Sequence, residues 1–388
     1  MKIALIRQRY TPFGGAERFV ERALGALVAE GAEVTLIART WEGAAKDGYR
    51  QLLLEPPYSR LAGRVARDRS FSEAAQAAMR TGGFDITQSH ERIPGCMIFR
   101  AGDGLHAAWL DHRGRDPSAL KRLGTRLATR LDPYHRFVLA QEAAMLAHPN
   151  LRAVICNSTL VRDECIRYYA VPPEKLVVIE NGVDLDAFHP GLANQHRAAM
   201  RQQLGIDDAT PVFLYVGGGF ERKGVPRLLQ ALAAMDTPAA RLIVVGGDRK
   251  LVAMKRLAAR LGIAARVHFA GRQADVRPYL GAADAFVLPT RYDPMPNAAL
   301  EALAAGLPTL TTTSCGIASR IRAGENGFVC DALDVTRLAA HLDTLAQAGI
   351  AAGMRAAARA SVADLSLAAM AERLLGLYRG ISSDSSHS

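Results

Sequence analysis

Two carboxylates, Asp293 and Glu301, stand eight positions apart around the predicted start of a short helix. Pro294 and Pro296 disfavour helical geometry in the residue before each of them, so Asp293 is predicted to lie in the preceding loop. The run from 298 to 305 favours a helix that contains Glu301. A helix N-terminus attracts phosphate, and carboxylates accept hydrogen bonds from sugar hydroxyls. The pattern predicts a nucleotide-sugar site; the alternative is an ordinary strand-to-helix corner with a solvated aspartate.

A second loop carries three consecutive glycines, 217–219, followed by the cations Arg222 and Lys223. The backbone at Gly218 is open to a ligand, since glycine has no side chain. Cations are unfavourable at the start of a helix, and a helix is predicted near Val225. A bound anion would explain why these two cations lie here. A diphosphate fits, because an arginine can donate two parallel hydrogen bonds to its oxygens and a lysine supplies a point charge. Two solvated surface cations are the alternative.

Two weaker candidates follow other predicted strands. Gly14 and Gly15 open a helix predicted at Ala16, where a ligand can approach the backbone closely; a tight turn is the alternative. The spacing is not GxGxxG, so a dinucleotide fingerprint is absent there. Arg272 comes directly after a predicted strand and is a candidate contact for the nucleobase or a phosphate, with a surface arginine as the alternative.

Acidic and histidine side chains in the first half of the chain raise two further possibilities. Asp103 and His106 follow a predicted strand and are candidates to contact the transferred sugar or to orient an acceptor hydroxyl, although a lone histidine is more often structural. Asp184 and Asp186 have the spacing of a divalent-metal pair, but they fall in a predicted crossover, so we assign them to a turn. No other cluster has metal-ligand spacing, and no metal is expected.

Short β-branched runs alternate with longer helical runs in two series along the 388 residues. The alternation predicts an α/β fold with two doubly wound, Rossmann-like domains, each a parallel sheet covered on both faces. The predicted strands of the first series are 2–6, 33–38, 84–89, 97–100, 151–156 and 176–180. Those of the second series are 212–216, 241–245, 266–270, 285–289 and 309–312.

The predicted domains are 1–185 for an acceptor and 186–364 for a nucleotide sugar. A helix at 365–380 is expected to return to the first domain, and 381–388 to be disordered. Ligands of open parallel sheets bind at the carboxyl ends of the strands, so a cleft between the two domains is the expected site.

Composition limits the classes of partner. The net charge of +10 has a local excess from Arg113 to Arg136, which suits an anionic substrate, anionic lipid or nucleic acid. No nucleic-acid motif supports the last. Five cysteines without CxxC spacing indicate a reducing cytosol, and no apolar run approaches the ~20 residues of a membrane span. We expect a cytoplasmic protein.

The run 118–131 has four leucines on one helical face and basic residues beside them. The leucines are Leu120, Leu123, Leu127 and Leu131, and the cations are Lys121, Arg122, Arg126 and Arg130. A basic amphipathic helix can lie on an anionic membrane. We favour the other interpretation, in which the leucines pack inside the domain. With a lipid-linked acceptor, peripheral contact at the inner face of the inner membrane is expected.

In their order along the chain, these motifs resemble the retaining GT-B glycosyltransferases of family 4, over nearly the whole length. The resemblance rests on Asp293-x7-Glu301, the loop ending Arg222-Lys223-Gly224, the Phe13-Gly14-Gly15 opening and Asn181-Gly182-Val183-Asp184. The segments 10–15, 41–43 and 89–103 are most similar to lipopolysaccharide core glycosyltransferases, especially the heptose-directed glucosyltransferase group.

The resemblance implies a nucleoside-diphosphate sugar donor, which we expect to be a UDP-sugar, and retention of the anomeric configuration. It implies no obligatory metal or other cofactor. Glu301 would bind the ribose hydroxyls and Asp293 the donor sugar, while Arg222 and Lys223 would stabilise the leaving diphosphate.

The same resemblance places Gly15 against the diphosphate, Arg272 near the nucleotide and Asp103 near the transferred sugar. Two positions depart from the family pattern: Asp293 stands where Glu is most frequent, and Pro296 stands where Gly is common and removes a backbone donor. Met295 and Asn297 still offer N–H groups.

We expect a saccharide or lipid-linked saccharide acceptor in cell-surface glycan synthesis. The alternatives are a sugar-nucleotide epimerase of the same fold, a transferase for a soluble small molecule, and, from another class, a basic nucleic-acid-binding protein. A dinucleotide-dependent oxidoreductase is disfavoured by the missing fingerprint. The residues leave open the base (uracil, guanine or adenine), the linkage position and the oligomeric state.

Overall fold

The chain divides into two compact units in a computed structural model that describes residues 1–10, 31–42, 49–58, 61, 63–115 and 119–385. The first unit comprises Met1–Gly182 and Leu367–Ser388, and the second comprises Val183–Ser366. The predicted loop with Gly14 and Gly15 and the helix after it lie outside the described residues.

Most strands are short apolar runs, as expected for strands buried on both faces of a parallel sheet. In chain order they are β1 (Lys2–Ile6), β2 (Arg9–Tyr10), β3 (Glu33–Ala38), β4 (Thr40–Trp41), β5 (Tyr49–Leu53), β6 (Ile86–Ser89), β7 (Ile98–Ala101), β8 (Ala153–Cys156), β9 (Leu176–Val178), β10 (Val212–Val216), β11 (Arg241–Val245), β12 (Val267–Gly271), β13 (Ala285–Val287), β14 (Thr309–Thr312) and β15 (Gly327–Cys330).

Helices connect most of these strands. In chain order the described α-helices are α1 (Gly63–Thr81), α2 (His106–Gly114), α3 (Ala119–Leu131), α4 (Pro133–Leu146), α5 (Thr159–Tyr169), α6 (Leu192–Leu204), α7 (Val225–Ala234), α8 (Leu251–Arg260), α9 (Arg277–Ala282), α10 (Asn297–Ala304), α11 (Val335–Ala346), α12 (Ile350–Gly353), α13 (Arg355–Ala360) and α14 (Leu367–Ser385). Short 3₁₀ turns occupy Pro173–Lys175, Ala264–Arg266 and Gly316–Arg320.

The first unit is built on a seven-stranded parallel sheet in the order β5-β3-β1-β6-β7-β8-β9. Alternate residues of β1 face opposite sides of it, because side chains alternate along a strand. Ile3 and Leu5 pack in the same apolar cluster as Leu374 of α14, whereas Ile6 packs in the cluster of Phe71 from α1. Helices therefore cover both faces, and α14 completes one of them.

The second unit is built on a six-stranded parallel sheet in the order β12-β11-β10-β13-β14-β15. The chain runs outward from β10 through β11 to β12 and then returns to place β13 on the other side of β10. Loops leaving the carboxyl ends of β10 and β13 diverge at this point, which is where open α/β sheets bind ligands.

The prediction of two doubly wound parallel-sheet units is confirmed. The edge strands β5 and β15 and the two-residue strands β2 and β4 were not predicted. Helix α10 begins at Asn297, with Pro296 as its N-cap rather than its first residue. The expectation of disorder from residue 381 is wrong for 381–385, which continue α14.

The preferred interpretation of the leucine face in the run 118–131 is also wrong. Leu120, Leu123, Leu127 and Leu131 of α3 are 83, 58, 53 and 71% exposed, so they do not pack in the core of the unit. Asp132 and Pro133 end this helix and start the next as predicted, with the Asp132 carboxylate accepting the Tyr134 N–H. Among the described helices, none has the length and apolar character needed to cross a bilayer.

Candidate active site

The switch point of the second sheet brings together an acid and two cations from different loops. Lys223 Nζ lies 3.1 Å from Asp293 Oδ2, and Arg222 Nη1 lies 3.8 Å from the same oxygen. Lys223 and Asp293 are largely buried, while the Arg222 side chain is 41% exposed. One carboxylate therefore orients two cations, and the more exposed cation remains accessible to a ligand.

Backbone contacts hold the β10 loop against the β13 loop. The Arg291 N–H donates to the Arg222 carbonyl at 2.9 Å, and Arg222 Nη1 donates to the Tyr292 carbonyl at 2.7 Å. Gly224 has a φ of +82°, and a Cβ there would lie 1.9 Å from the Pro289 carbonyl oxygen. Only glycine fits this close approach, which explains why it follows Lys223.

Asp293 is fixed by a third loop, the one after β14. Its N–H donates to the Ser314 carbonyl at 3.2 Å, and its carbonyl accepts from Gly316 N–H at 2.9 Å. The residue is only 7% exposed. Asp293 is thus held by its backbone on one side and by two cations on the other, so its carboxylate has little freedom to move.

The loop after β11 supports the glycine-rich loop, and the sequence interpretation missed it. Asp248 accepts the Phe220 N–H at 2.9 Å and the Lys250 N–H at 2.7 Å. Burial alone would raise the pKa of Asp248, but hydrogen bonds from backbone N–H groups outweigh it and lower the pKa below its usual value. The sequence feature that could have revealed this role is the position of Asp248, an acid that comes directly after a predicted strand and two glycines.

The glycine pairs of these two loops touch. A Cβ on Gly246 would lie 2.0 Å from the Gly217 carbonyl oxygen, and one on Gly218 would lie 3.2 Å from the Gly247 carbonyl oxygen. Arg272 packs over Gly247, where a Cβ would lie 2.6 Å from its Cγ. The structure thus places Gly218 and Arg272 at the same edge of the sheet as Arg222.

A buried hydroxyl beneath this edge was also missed. Tyr215 is the fourth residue of β10 and is fully buried, and within the described chain its hydroxyl has no hydrogen-bond partner. Burial raises its pKa, so the phenol stays protonated and can donate. A Cβ on Gly217 would be 3.5 Å from this hydroxyl and 3.4 Å from Lys223 Nζ, so the phenol and the cation lie beside the same glycine.

Helix α10 carries the second predicted acid. Glu301 is its fifth residue and is half-buried, just over one turn from Asn297, the first residue. Met295 is buried and precedes the N-cap Pro296. The helix follows Asp293 directly, so the predicted order of loop acid, helix start and helical acid is observed.

The first unit holds the other two predicted residues. Asp103 follows β7, has a side chain 65% exposed, and lies 3.5 Å from Arg7 Nη1. His106 begins α2, with its N–H donating to the buried Glu142 carboxylate at 2.8 Å. Burial, reinforced by the Arg92 charge, lowers the pKa of His106 to about 4, so its ring is neutral near pH 7.

Asp184 makes a turn, as predicted: its Oδ1 accepts the N–H groups of Asp186 and Ala187 at 3.2 and 2.9 Å. Across the described residues, no group of three or more His, Cys, Asp or Glu side chains is arranged to hold a metal ion.

The arrangement in the second unit can bind an anion and polarise it. Two cations and glycine backbone converge at the carboxyl edge of a parallel sheet, and the acids Asp293 and Glu301 flank the start of α10. Cations and helix N-termini suit a diphosphate, and carboxylates suit hydroxyl groups.

Comparison with known proteins gives two family matches that together cover most of the chain. Residues 13–187 match the model for "Glycosyltransferase Family 4", and residues 196–360 match the model for "Glycosyl transferases group 1". The sites described in the two units fall within these two ranges respectively.

Individual relatives agree with these matches. The chain is 27% identical over 331 residues to the lipopolysaccharide glucosyltransferase WaaG of Escherichia coli K12, covering 85% of each chain. It is 30% identical to a D-inositol 3-phosphate glycosyltransferase of Streptomyces scabiei, covering 77% of this chain and 69% of that one. The crystal structure of WaaG matches with a TM-score of 0.81 at 24% identity, covering 97% of this chain and all of the other.

Proposed function

Because this chain belongs to the group 1 and family 4 glycosyltransferases, we propose that it transfers a hexose from a nucleoside-diphosphate sugar to a saccharide acceptor, with retention of configuration. A UDP-sugar is the expected donor. The observation that carries the proposal is the pairing of Arg222 and Lys223 with Asp293 at the switch point of the second sheet.

The two cations act on the leaving group. As the bond from the anomeric carbon to the diphosphate breaks, its electron pair moves to the phosphate oxygen, where Arg222 and Lys223 stabilise the growing charge. Both cations are held by Asp293, so little reorganisation is needed as the charge forms. Preorganised charge of this kind is usually the largest single contribution to catalysis.

The carboxylates have binding roles. Asp293 accepts hydrogen bonds from hydroxyls of the donor sugar, and Glu301 accepts those of the ribose. The acceptor oxygen attacks from the face that the diphosphate leaves, and its proton passes to the departing phosphate. No covalent sugar–carboxylate intermediate is required. Asp103 is assigned to the transferred sugar.

The relatives support two acceptor classes. The name of the Escherichia coli relative points to lipopolysaccharide, which supports a core or other cell-surface glycan as the acceptor here. The name of the Streptomyces relative points to a soluble inositol phosphate, so a small-molecule acceptor is the second candidate.

A purified-enzyme assay separates these possibilities. UDP-glucose, UDP-galactose, GDP-mannose and ADP-glucose are compared first by thermal shift, and the binding donor is then incubated with truncated lipopolysaccharide or with inositol 3-phosphate. We expect nucleotide release that depends on the lipopolysaccharide and an anomeric proton of donor configuration by NMR. Donor turnover without acceptor would favour an epimerase, and an inverted product would contradict the retaining mechanism.

We also propose that helix α3 lies on an anionic lipid surface from the cytoplasmic side. Its four exposed leucines form one row, Arg126 and Arg130 are exposed beside them, and the helix contains no acidic residue. An exposed apolar row with a cationic flank is the pattern of interfacial helices. The contact would keep a lipid-linked acceptor close to the enzyme.

Replacing Leu123 and Leu127 together with Gln should abolish co-sedimentation with vesicles that contain phosphatidylglycerol. The change removes two exposed leucine side chains that would enter the lipid, and with them apolar contact area that salt does not screen. Replacing Arg126 and Arg130 with Gln should instead weaken binding mainly at low salt. Val252→Gln, at a residue 60% exposed on α8, is the matched control. If wild-type protein stays in the supernatant at low salt, the proposal is wrong.

A further inference from the structure

A cavity of about 140 Å³ opens in the first unit, beside the carboxyl ends of β1 and β6 and between α1 and α4. We propose that it binds one ring of the saccharide acceptor and selects an uncharged, hydroxyl-rich ring over a phosphorylated one. The proposal rests on the glycosyltransferase function above and adds the position and chemistry of an acceptor subsite. The volume suits a single small ring, since pockets for larger ligands measure roughly 300–1,000 Å³.

The wall offers an unused donor and an unused acceptor. Gln141 Oε1 accepts from the Ser72 hydroxyl at 3.3 Å, whereas within the described chain the Gln141 amide nitrogen has no partner. Glu91 Oε1 accepts the Gln8 N–H at 3.1 Å, and among the described residues no donor reaches its Oε2. Neighbouring hydroxyls of a sugar can each donate and accept, so they match a wall that offers both.

A third wall group, His106, is fixed as a donor by a chain of hydrogen bonds. Arg113 Nη1 lies 3.1 Å from His135 Nε2, and an arginine can only donate, so His135 carries its proton on Nδ1. His135 Nδ1 then donates to His106 Nε2 at 3.1 Å. The neutral His106 therefore keeps its own proton on Nδ1. His106 can therefore orient the acceptor by donating a hydrogen bond to one of its oxygens. It does not act as the base that removes the acceptor's proton.

The charges in the wall disfavour a phosphate. Arg92 donates to Glu142 Oε1 at 2.7 Å and to the Gly104 carbonyl at 2.9 Å, so its charge is already paired. The cavity is also lined by Asp68 and Glu91, and Asp68 accepts from the Tyr134 hydroxyl at 3.1 Å. Asp68 is itself paired with Arg67 at 2.7 Å, and Glu91 lies 3.8 Å from Arg7. Two carboxylates and one arginine line the cavity, so an entering phosphate would meet a net negative wall.

The apolar part of the wall, which includes Phe71, Ile93, Phe137 and Val138, suits the carbon face of a sugar ring. Arg7 joins the cavity to Asp103, with its Nη1 3.8 Å from Glu91 Oε1 and 3.5 Å from Asp103 Oδ2. The subsite is therefore adjacent to the residue assigned to the transferred sugar.

The test uses the full chain, saturated with UDP, and ligand-observed NMR. The probes are the methyl glycosides of glucose, mannose, galactose and a heptose, with mannose 6-phosphate as the charged probe. We expect at least one neutral glycoside to bind, and mannose 6-phosphate to bind more weakly. Gln141→Leu should raise the Kd of the bound glycoside about three- to tenfold, through loss of the amide donor.

Gln76→Leu is the matched control, because Gln76 also bonds the Ser72 hydroxyl, at 3.2 Å, but does not line the cavity. It should leave the Kd within about twofold. Gln141→Glu, which removes the donor but preserves the shape, replaces Gln141→Leu if that variant does not fold.

The inference is wrong if no glycoside binds, if both Gln141 variants bind like wild type, or if the phosphate binds more tightly. The thermal shift with UDP is measured on the same samples and should be unchanged by the Gln141 variants. Absence of that shift in the wild type would instead count against the proposed function.

Discussion

Lys223→Ala should lower kcat by about 10²–10³-fold, the range observed when one preorganised group that stabilises transition-state charge is removed. The leaving diphosphate gains negative charge as the sugar bond breaks, and Lys223 is the more buried of the two cations at this edge. A charge in a partly water-excluded position acts more strongly than one in water. The measurement is acceptor-dependent nucleotide release at saturating donor, with the double variant Arg222→Ala and Lys223→Ala expected to be slower still.

Loss of Lys223 also leaves the buried Asp293 with only the more distant Arg222, so stability must be checked. Thermal melting of each variant separates a folding defect from a catalytic one, and Lys223→Met preserves the side-chain length if the alanine variant melts early. Lys255→Ala, at an exposed lysine of α8, controls for lost surface charge. A folded Lys223 variant with kcat within threefold of wild type would exclude the cation from catalysis.

Glu301→Ala should raise the Kd of the donor by about 10- to 150-fold, which corresponds to roughly 1.5–3 kcal/mol for lost charge-assisted hydrogen bonds. If the carboxylate binds the ribose, UDP and the intact UDP-sugar must weaken by the same factor. Isothermal titration with both ligands measures this directly. The reduction in kcat at saturating donor should be smaller than the reduction in affinity, because the ribose is remote from the reacting bond.

Glu325→Gln is the control for this prediction, since that side chain is 61% exposed in the same unit. If the Kd rises only for the UDP-sugar and not for UDP, Glu301 binds the hexose rather than the ribose. Unchanged affinity for both ligands would remove Glu301 from the donor site altogether.

Most of the fold could be predicted, because its strands and helices are indicated by residue patterns within short segments. Apolar runs such as 212–216 and 241–245 became β10 and β11 with the predicted bounds. Four of the described strands were missed: β2 and β4 pair with each other, and β5 and β15 lie at the edges of the two large sheets. In β5 the alternation of apolar and polar residues is weak, and its leucines are exposed. β15 begins with Gly327, where a Cβ would lie 2.0 Å from the Thr309 carbonyl oxygen. An edge strand is stabilised by its partner strand, which a local pattern does not contain.

The candidate site was predictable in part for the same reason. The pattern of residues placed Asp293 and Glu301 around one helix start and two cations on one loop, since both are features of short segments. It did not reveal that Tyr215 and Lys223 lie beside the same glycine or that Asp248 holds the glycine-rich loop, because these arrangements join residues 8 and 28 positions apart.

The amino-acid order alone determined the alternation of strands and helices, the turn at Asp184 and the identity of the charged loop residues. These depend on backbone preferences and periodicity within a few residues. Packing in three dimensions decided that Lys223 meets Asp293, that the leucines of α3 face outward, and that Gln141 and Glu91 share a cavity. Such pairings depend on the strand order and on which helix covers each face, and these are settled by burial of the whole apolar core rather than by any one segment.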